Sequence, residues 1–442
     1  MTSENRTNYT LDNALAATID RYTVANSSSA AKHRLACAAL PGGNTRTVLH
    51  FDPFPLVMER GQDASLWDVD GHRYTDFTGE FTAGLFGHSN DTIHTAIKKT
   101  LDEGILLCAP NEREQQLAQL LCDRFSSVDS VRFCNSGTEA NLMSITAARA
   151  YTGKSHILVF DGGYHGGVFL FGDGQNSNNA PYPFILGNYN SPDETRSLIK
   201  QHADSLAAVL VEPMLGTGGA IPAEPEFLTA IREACTENNV VLIFDEVMTS
   251  RISRGGLQHH YGVIPDMTSF GKYLGGGMTF GAFGGQHEIM AQFDPRQPNH
   301  LPHAGTFNNN VLTMTAGVTA LRDIYTPEVA DSFTDKGEQF RTRLQSIAKT
   351  CGAAVQISGV GSLMAIHFTT EPIATRTPVK AVNPKLRQLF HIAMLNAGMY
   401  MNKQGYMALM LPLMTEDYDR FASLFEEFLL THRQIIEDNV IQ

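Results

Sequence analysis

Three unbroken apolar runs, at residues 157–160, 207–211 and 240–244, mark the middle of the chain. Runs of this length without alternation predict strands covered on both faces, hence a largely parallel sheet. A short strand is predicted at 131–134 and a helix at 139–151, and from about residue 90 helix and strand patterns alternate. Upstream, residues 11–22 carry apolar positions at helical spacing, and 41–46 form a turn-rich loop. Residues 66–74 read as a hairpin, with Asp70-Gly71 supplying the positive-φ turn. After Thr326 the pattern changes to a long helix over 327–350, short strands near 355–357 and 362–367, and a final amphipathic helix over about 416–435. The expected architecture is α/β. A large domain over 76–326 carries a mostly parallel central sheet. Residues 327–442 form a smaller α+β domain, which the segment 1–75 joins.

Candidate chemistry sits where the apolar runs end. Asp245 closes the run 240–244, and Lys272 follows in Ser269-Phe270-Gly271-Lys272-Tyr273-Leu274-Gly275. A carboxylate at a buried strand end and a lysine hemmed by small residues suit pyridoxal phosphate. The amine holds the cofactor as a Schiff base, and the carboxylate keeps the pyridine nitrogen protonated. A desolvated lysine loses basicity and becomes a competent nucleophile and proton carrier.

Asn135-Ser136-Gly137-Thr138-Glu139 joins a strand to a helix. Alone this is an ordinary capped helix start. With Asp245 and Lys272 downstream, its exposed amides and hydroxyls read as the phosphate site. Asp161-Gly162-Gly163-Tyr164-His165-Gly166-Gly167 offers an aromatic in a glycine loop, suited to lie over a cofactor ring. Val247, two residues beyond Asp245, is placed to wedge the opposite face. The loop 303–310 by itself says only turn and cap.

Composition narrows the alternatives. The 442 residues are 43% hydrophobic and 18% charged, with a net charge of −13. That balance argues against binding a nucleic-acid backbone. No apolar run is long enough to predict a membrane span, and the polar residues 1–8 lack the apolar core of a signal peptide. The sequons at Asn5 and Asn8 are therefore expected to be idle. Six scattered cysteines, without paired spacing, fit a reducing cytoplasm better than disulfides. Residues 275–281 do not match the dinucleotide fingerprint, no Walker A motif occurs, and the histidines, His259-His260 included, lack metal-ligand spacing. No metal is expected.

Together, Ser136-Gly137-Thr138, Tyr164-His165, Glu212-Pro213, Asp245 through Thr249, Lys272 and Gly305-Thr306 resemble class III aminotransferases of PLP fold type I, from about residue 38 to about residue 430. Within that class the chain resembles glutamate-1-semialdehyde aminomutases. It is more similar to bacterial β-phenylalanine aminotransferases, through Gly43 to Leu49, Pro53 to Leu56, Glu80 to Gly84, Asp245 to Arg251 and Gly305 to Asn310. The resemblance implies that Ser136, Gly137 and Thr138 hold the phosphate, Tyr164 stacks on the ring, and Glu212, Asp245 and Val247 line it. It implies that Thr306 reaches the cofactor of a second subunit in a homodimer and that Arg46 takes the substrate carboxylate. In the β-phenylalanine enzymes a second arginine near the C-terminal end helps bind the 2-oxo acid acceptor. The matching position here is Gln404, which keeps a donor and lacks the charge, leaving Lys403 to compensate or pyruvate to replace 2-oxoglutarate. The expected reaction is transfer of the amino group of an aromatic β-amino acid to a 2-oxo acid. Alternatives are the aminomutase, an amine:pyruvate transaminase and a catalytically silent binding protein of the same fold.

Overall fold

The computed structural model describes residues 10–172 and 176–440; the polar residues 1–8, with Asn5 and Asn8, lie outside them. A seven-stranded sheet organises the middle of the chain. From one edge its strands are Ser130–Cys134, Gly281–Gly285, Met267–Gly271, Val241–Asp245, Leu206–Val211, His156–Phe160 and Phe184–Gly187. Gly281–Gly285 runs antiparallel to both neighbours, and the other pairings are parallel.

The unbroken apolar runs have a direct cause. Ile157, Val159, Ala208, Leu210, Val241 and Ile243 point into one core with Ala140, Ile145 and Ala148 of the helix Gly137–Thr152. The alternate positions Leu158, Phe160, Val209, Val211, Leu242 and Phe244 point into another with Phe227, Leu228 and Ile231 of the helix Pro225–Glu237. Successive side chains face opposite sides of a strand, so a sheet buried on both faces needs an apolar residue at every position.

Three strands of this sheet escape the sequence pattern. Met267–Gly271 is rich in small and polar residues, and Gly281–Gly285 holds three glycines. Glycine weakens a strand unless close packing requires it. Here it is required: a Cβ on Gly281 would sit 2.2 Å from the Ser136 carbonyl oxygen. The short strand Phe184–Gly187 at the sheet edge was likewise not predicted.

The N-terminal hairpin is present as Ser65–Asp68 and Arg73–Asp76, with Gly71 at φ +90°. These strands share a sheet with Met58–Gln62 and with Met399–Tyr400, which pairs parallel to Arg73–Asp76. The helix Leu11–Ala25 meets Pro384–Asn396, where the Asn396 amide donates to the Thr18 carbonyl. Early and late segments therefore interlock. The long helix spans Pro327–Thr350 as expected. The final helix does not run unbroken: Thr415–Thr431 stops at His432, and Arg433–Asn439 follows as a separate helix. After the loop 303–310 comes the helix Val311–Thr319, continued by a π-helical turn, Ala320–Ile324. No helix among the described residues is long and apolar enough to cross a membrane.

Candidate active site

Ligands of open α/β sheets settle outside the carboxyl ends of the strands. Five parallel strands here each deliver a candidate residue at that edge. Ser136 follows Ser130–Cys134, Tyr164 follows His156–Phe160 and Glu212 follows Leu206–Val211. Asp245 ends its own strand, and Lys272 directly follows Met267–Gly271.

Asp245 is buried and held from three sides. One carboxylate oxygen accepts from Asn141 Nδ2 at 2.7 Å and faces His165 Nδ1 at 2.8 Å; the other accepts from the Val247 amide at 3.0 Å. Asn141 also donates to the His165 carbonyl at 3.1 Å, which locks the three side chains together. A carboxylate offers about four acceptor directions, so Asp245 keeps capacity toward the cleft.

Lys272 lies in a run where Phe270, Gly271, Tyr273 and Leu274 are buried. Its backbone is left-handed, at φ +57°, a conformation non-glycine residues seldom adopt outside turns and functional sites. Burial lowers its amine from the usual lysine range to about 8; the positive charges of Arg46 and Arg251 act in the same direction, and Asp245 and Glu212 oppose it.

Ser136 is the N-cap of the helix Gly137–Thr152, its hydroxyl accepting from the Glu139 amide at 3.2 Å. Gly137 and Thr138 occupy the first two helical positions, whose amides precede the first intrahelical bond. The cap uses only the third amide, so it would not compete with an anion for the first two. Thr138 Oγ1 accepts from the Gly167 amide at 3.3 Å, tying the glycine loop to the helix start. Gly166 must be glycine there: its φ is +115°, and a Cβ would meet Thr138 Oγ1 at 2.2 Å. Val247 packs so closely on Gly137 that a Cβ there would come within 2.8 Å of it. The helix start at Gly137, Val247 and Asp245 are thus set by one another.

Tyr164 is partly exposed, 40% of its surface facing solvent, and its amide donates to Glu212 at 2.9 Å. The other Glu212 oxygen accepts from the Gly216 amide at 3.0 Å. Burial pushes the Glu212 carboxyl up to about 7; the nearby Asp245 adds to that, and His165 and the two amides oppose it.

At the mouth, Arg46 forms an ion pair with Glu80 and lies over the Phe81 ring, 5.3 Å from its centroid. Its charge reaches both Lys272 and Tyr164. The partner segment is unusual: Gly79, Glu80, Phe81 and Thr82 all have positive φ, between 45° and 83°. Asp76 pins its start by accepting from the amides of Thr78 and Gly79. Gln404 is exposed, with its amide donating to Asn402 Oδ1 at 2.8 Å. Lys403, one of the two compensations the sequence leaves open, donates to the His50 carbonyl at 2.6 Å. Thr306 lies on an exposed turn and makes none of these contacts; Asn308 of the same loop bonds Asn135 Nδ2 at 3.0 Å.

Sequence reasoning did not assign roles to Asn141, His165 or Glu80. The signals were faint: His165 stands beside Tyr164, and Asn141 is one turn into the capped helix.

With this geometry in place the chain can be set beside known proteins. The profile of the "Aminotransferase class-III" family matches residues 49–429. The chain is a class-III aminotransferase. It is 44% identical over 430 residues to the beta-phenylalanine transaminase of Variovorax paradoxus, covering 97% of this chain and 99% of that one. The crystal structure of the Variovorax paradoxus beta-phenylalanine aminotransferase superimposes with a TM-score of 0.95 at 45% identity, covering 96% and 99% of the two chains. Glutamate-1-semialdehyde 2,1-aminomutase 1 of Bacillus cereus is 35% identical over 404 residues, covering 87% of this chain and 94% of its own. A transaminase solved with PLP bound aligns at TM-score 0.83 and 29% identity, covering 94% and 99%. The fold type I architecture expected from the sequence is the one found.

Proposed function

We propose that this aminotransferase moves the amino group of an aromatic β-amino acid to a 2-oxo acid, using pyridoxal phosphate bound at Lys272. The residues fit that cofactor. Lys272 offers an amine of lowered basicity, Asp245 a buried carboxylate with a free acceptor direction, and Gly137, Thr138 and Gly166 a close backbone cradle at a helix N-terminus. When bound, the cofactor supplies an aldehyde that takes the substrate nitrogen and a ring that stores the electron pair left when the substrate C–H bond breaks.

The chain does the rest. The Lys272 amine would hold the cofactor and, when free, would move the proton taken from the substrate carbon. Asp245, oriented by Asn141 and His165, holds the ring nitrogen's proton. Ser136, Gly137 and Thr138 anchor the phosphate, Tyr164 and Val247 clamp the ring faces, and Glu212 fixes the loop that carries Tyr164. Arg46 takes the substrate carboxylate in a fork-to-fork contact, one carbon farther from the reacting carbon than an α-amino acid places it.

The observation that carries this reading is the position of Arg46, a guanidinium at the mouth whose charge acts on Lys272, in a chain 44% identical to a beta-phenylalanine transaminase. A screen of β-phenylalanine, α-amino acids and simple amines against pyruvate and 2-oxoglutarate tests it. The β-amino acid should lead; α-amino acids leading would overturn it. The aminomutase reading is favoured by the Bacillus cereus relative. Omitting the 2-oxo acid separates the two, because a mutase turns over without it.

Thr306 reaches the cofactor of a second copy, and the working unit is a homodimer. Exposed apolar side chains at Leu106, Leu107 and Phe307 support that assembly, and sedimentation equilibrium tests it. Residues 1–75 and 327–442 act as one small domain beside 76–326. The site of action is the cytoplasm, in keeping with six free cysteines.

A further inference from the structure

Arg251 ends the short turn Thr249–Arg251, a few residues beyond Asp245, and has no part in the chemistry above. It is among the largest fully buried side chains. One nitrogen, Nη2, donates to the Leu409 carbonyl, while Nε and Nη1 are buried without a partner. Beneath it lies the Phe333 ring, 5.7 Å from Cζ. Among the described residues no carboxylate pairs with it. Four tyrosines surround it instead: Tyr325, Tyr406, Tyr273 and Tyr418.

Two of those phenols are already committed. Tyr273 donates to the Ser250 carbonyl at 2.9 Å, and Tyr325 to the Arg251 carbonyl at 2.6 Å. The other two, Tyr406 and Tyr418, have buried hydroxyls without partners, and so do Ser250 and Ser362. Ser250 precedes Arg251 in the chain. The Ser362 backbone carbonyl accepts from the amide of Leu409, the residue whose carbonyl holds Arg251. A second cation borders the place: Lys336 lies over the Tyr418 ring at 4.7 Å.

The neighbouring acids are engaged elsewhere. Asp331 pairs with Arg254, Asp417 caps its own helix at Met414, Glu246 binds the amides of Leu257 and Gln258, and Glu212 binds those of Tyr164 and Gly216.

A guanidinium can only donate and stays protonated in proteins. Buried charges are ordinarily paired, and buried donors ordinarily satisfied. Unspent guanidinium protons and free hydroxyls in one interior region call for an acceptor that also brings negative charge. We propose that Arg251, with the hydroxyls of Ser250, Ser362, Tyr406 and Tyr418, forms an interior site for one small monovalent anion of the size of chloride.

The site ties the turn after Asp245 to the strand Tyr406–Ala408 and the helix Thr415–Thr431. It also bears on the active amine, because the charge of Arg251 lowers the proton affinity of Lys272. An anion on Arg251 partly cancels that influence.

Holoenzyme crystals equilibrated with sodium bromide, measured at the bromine edge, should show an anomalous peak within hydrogen-bond reach of Arg251 Nε or Nη1. In solution, the melting temperature should rise saturably with sodium bromide or chloride and stay flat in sodium gluconate of equal ionic strength. Tyr418→Phe, which removes one oxygen, should raise the half-saturating halide concentration several-fold, and Arg251→Met should abolish the response. If Arg251→Met does not fold, the Tyr418→Phe shift carries the test. No anomalous peak at Arg251, or equal melting curves in halide and gluconate, would overturn the proposal. So would a peak without any saturable effect, which marks an adventitious ion.

Discussion

The two ends of the active site are built on different principles. At the inner end, Asp245 is buried and bonded on three sides by Asn141, His165 and the Val247 amide, and Lys272 projects from a buried run. At the mouth, Arg46 and Glu80 are about half exposed, and Glu80 sits on four consecutive residues of positive φ. A buried charge network tolerates little change, since removing one partner strands the other in a low dielectric. An exposed pair is screened by solvent and contributes little to stability. The inner end is therefore suited to a chemistry that tolerates little change, and the mouth to contacts that can vary.

Substitutions can break that contrast. The largest effect is expected from Lys272→Ala: a loss in kcat of about 10⁴-fold or more, since both the nucleophile and the proton carrier disappear. Borohydride treatment of wild type followed by peptide mapping should place the label at residue 272. Asp245→Asn keeps the shape but not the charge and should lower kcat by about 10²–10³-fold, with circular dichroism unchanged. Wild-type turnover in that variant would mean that the network matters for its shape rather than its charge.

At the mouth the losses should be smaller and selective. Arg46→Ala removes a charge-assisted contact of about 1.5–3 kcal/mol, so kcat/KM for β-phenylalanine should fall about 10–100-fold. Simple amines should be little affected; equal losses for both donor types would place Arg46 in the chemistry instead. The pH behaviour of the inner end sharpens the comparison. In cofactor-free protein, Lys272 is a free amine only above its lowered pKa. The rate of recombination with pyridoxal phosphate should therefore climb as pH rises through about 8, not through the 10.5 of an ordinary lysine. The smallest effect is expected from Gln404→Arg, an exposed position. Restoring the cation should lower KM for 2-oxoglutarate by about five-fold, the scale of a solvent-screened pair, and leave pyruvate unchanged.

Legibility in the sequence follows the same divide. The strands whose alternate residues feed two cores were plain, because burial on both faces forces an apolar residue at every position. Gly281–Gly285 was hidden. Its glycines answer to the Ser136 backbone pressing on it, not to any strand preference of its own. The break at His432 was also invisible, since apolar spacing continues across it. Among candidate site residues, the placement of Ser136, Asp245 and Lys272 could be read because each lies at a strand end, where local pattern and chemistry coincide. His165 and Asn141 could not, since their importance comes only from sharing the Asp245 carboxylate.

The linear order of amino acids determined which chemical groups stand at the ends of which strands, because an apolar run and the polar residue that ends it are neighbours along the chain. Tertiary structure alone decided how those ends meet. By inserting one antiparallel strand between Ser130–Cys134 and Met267–Gly271, the sheet brings Gly137 and Gly271 against the same Val247 side chain. Likewise only folding set Glu80 upon Arg46 and enclosed Arg251 among tyrosines drawn from distant segments. Such meetings depend on strand order and on close packing between remote parts of the chain, and no local periodicity encodes either.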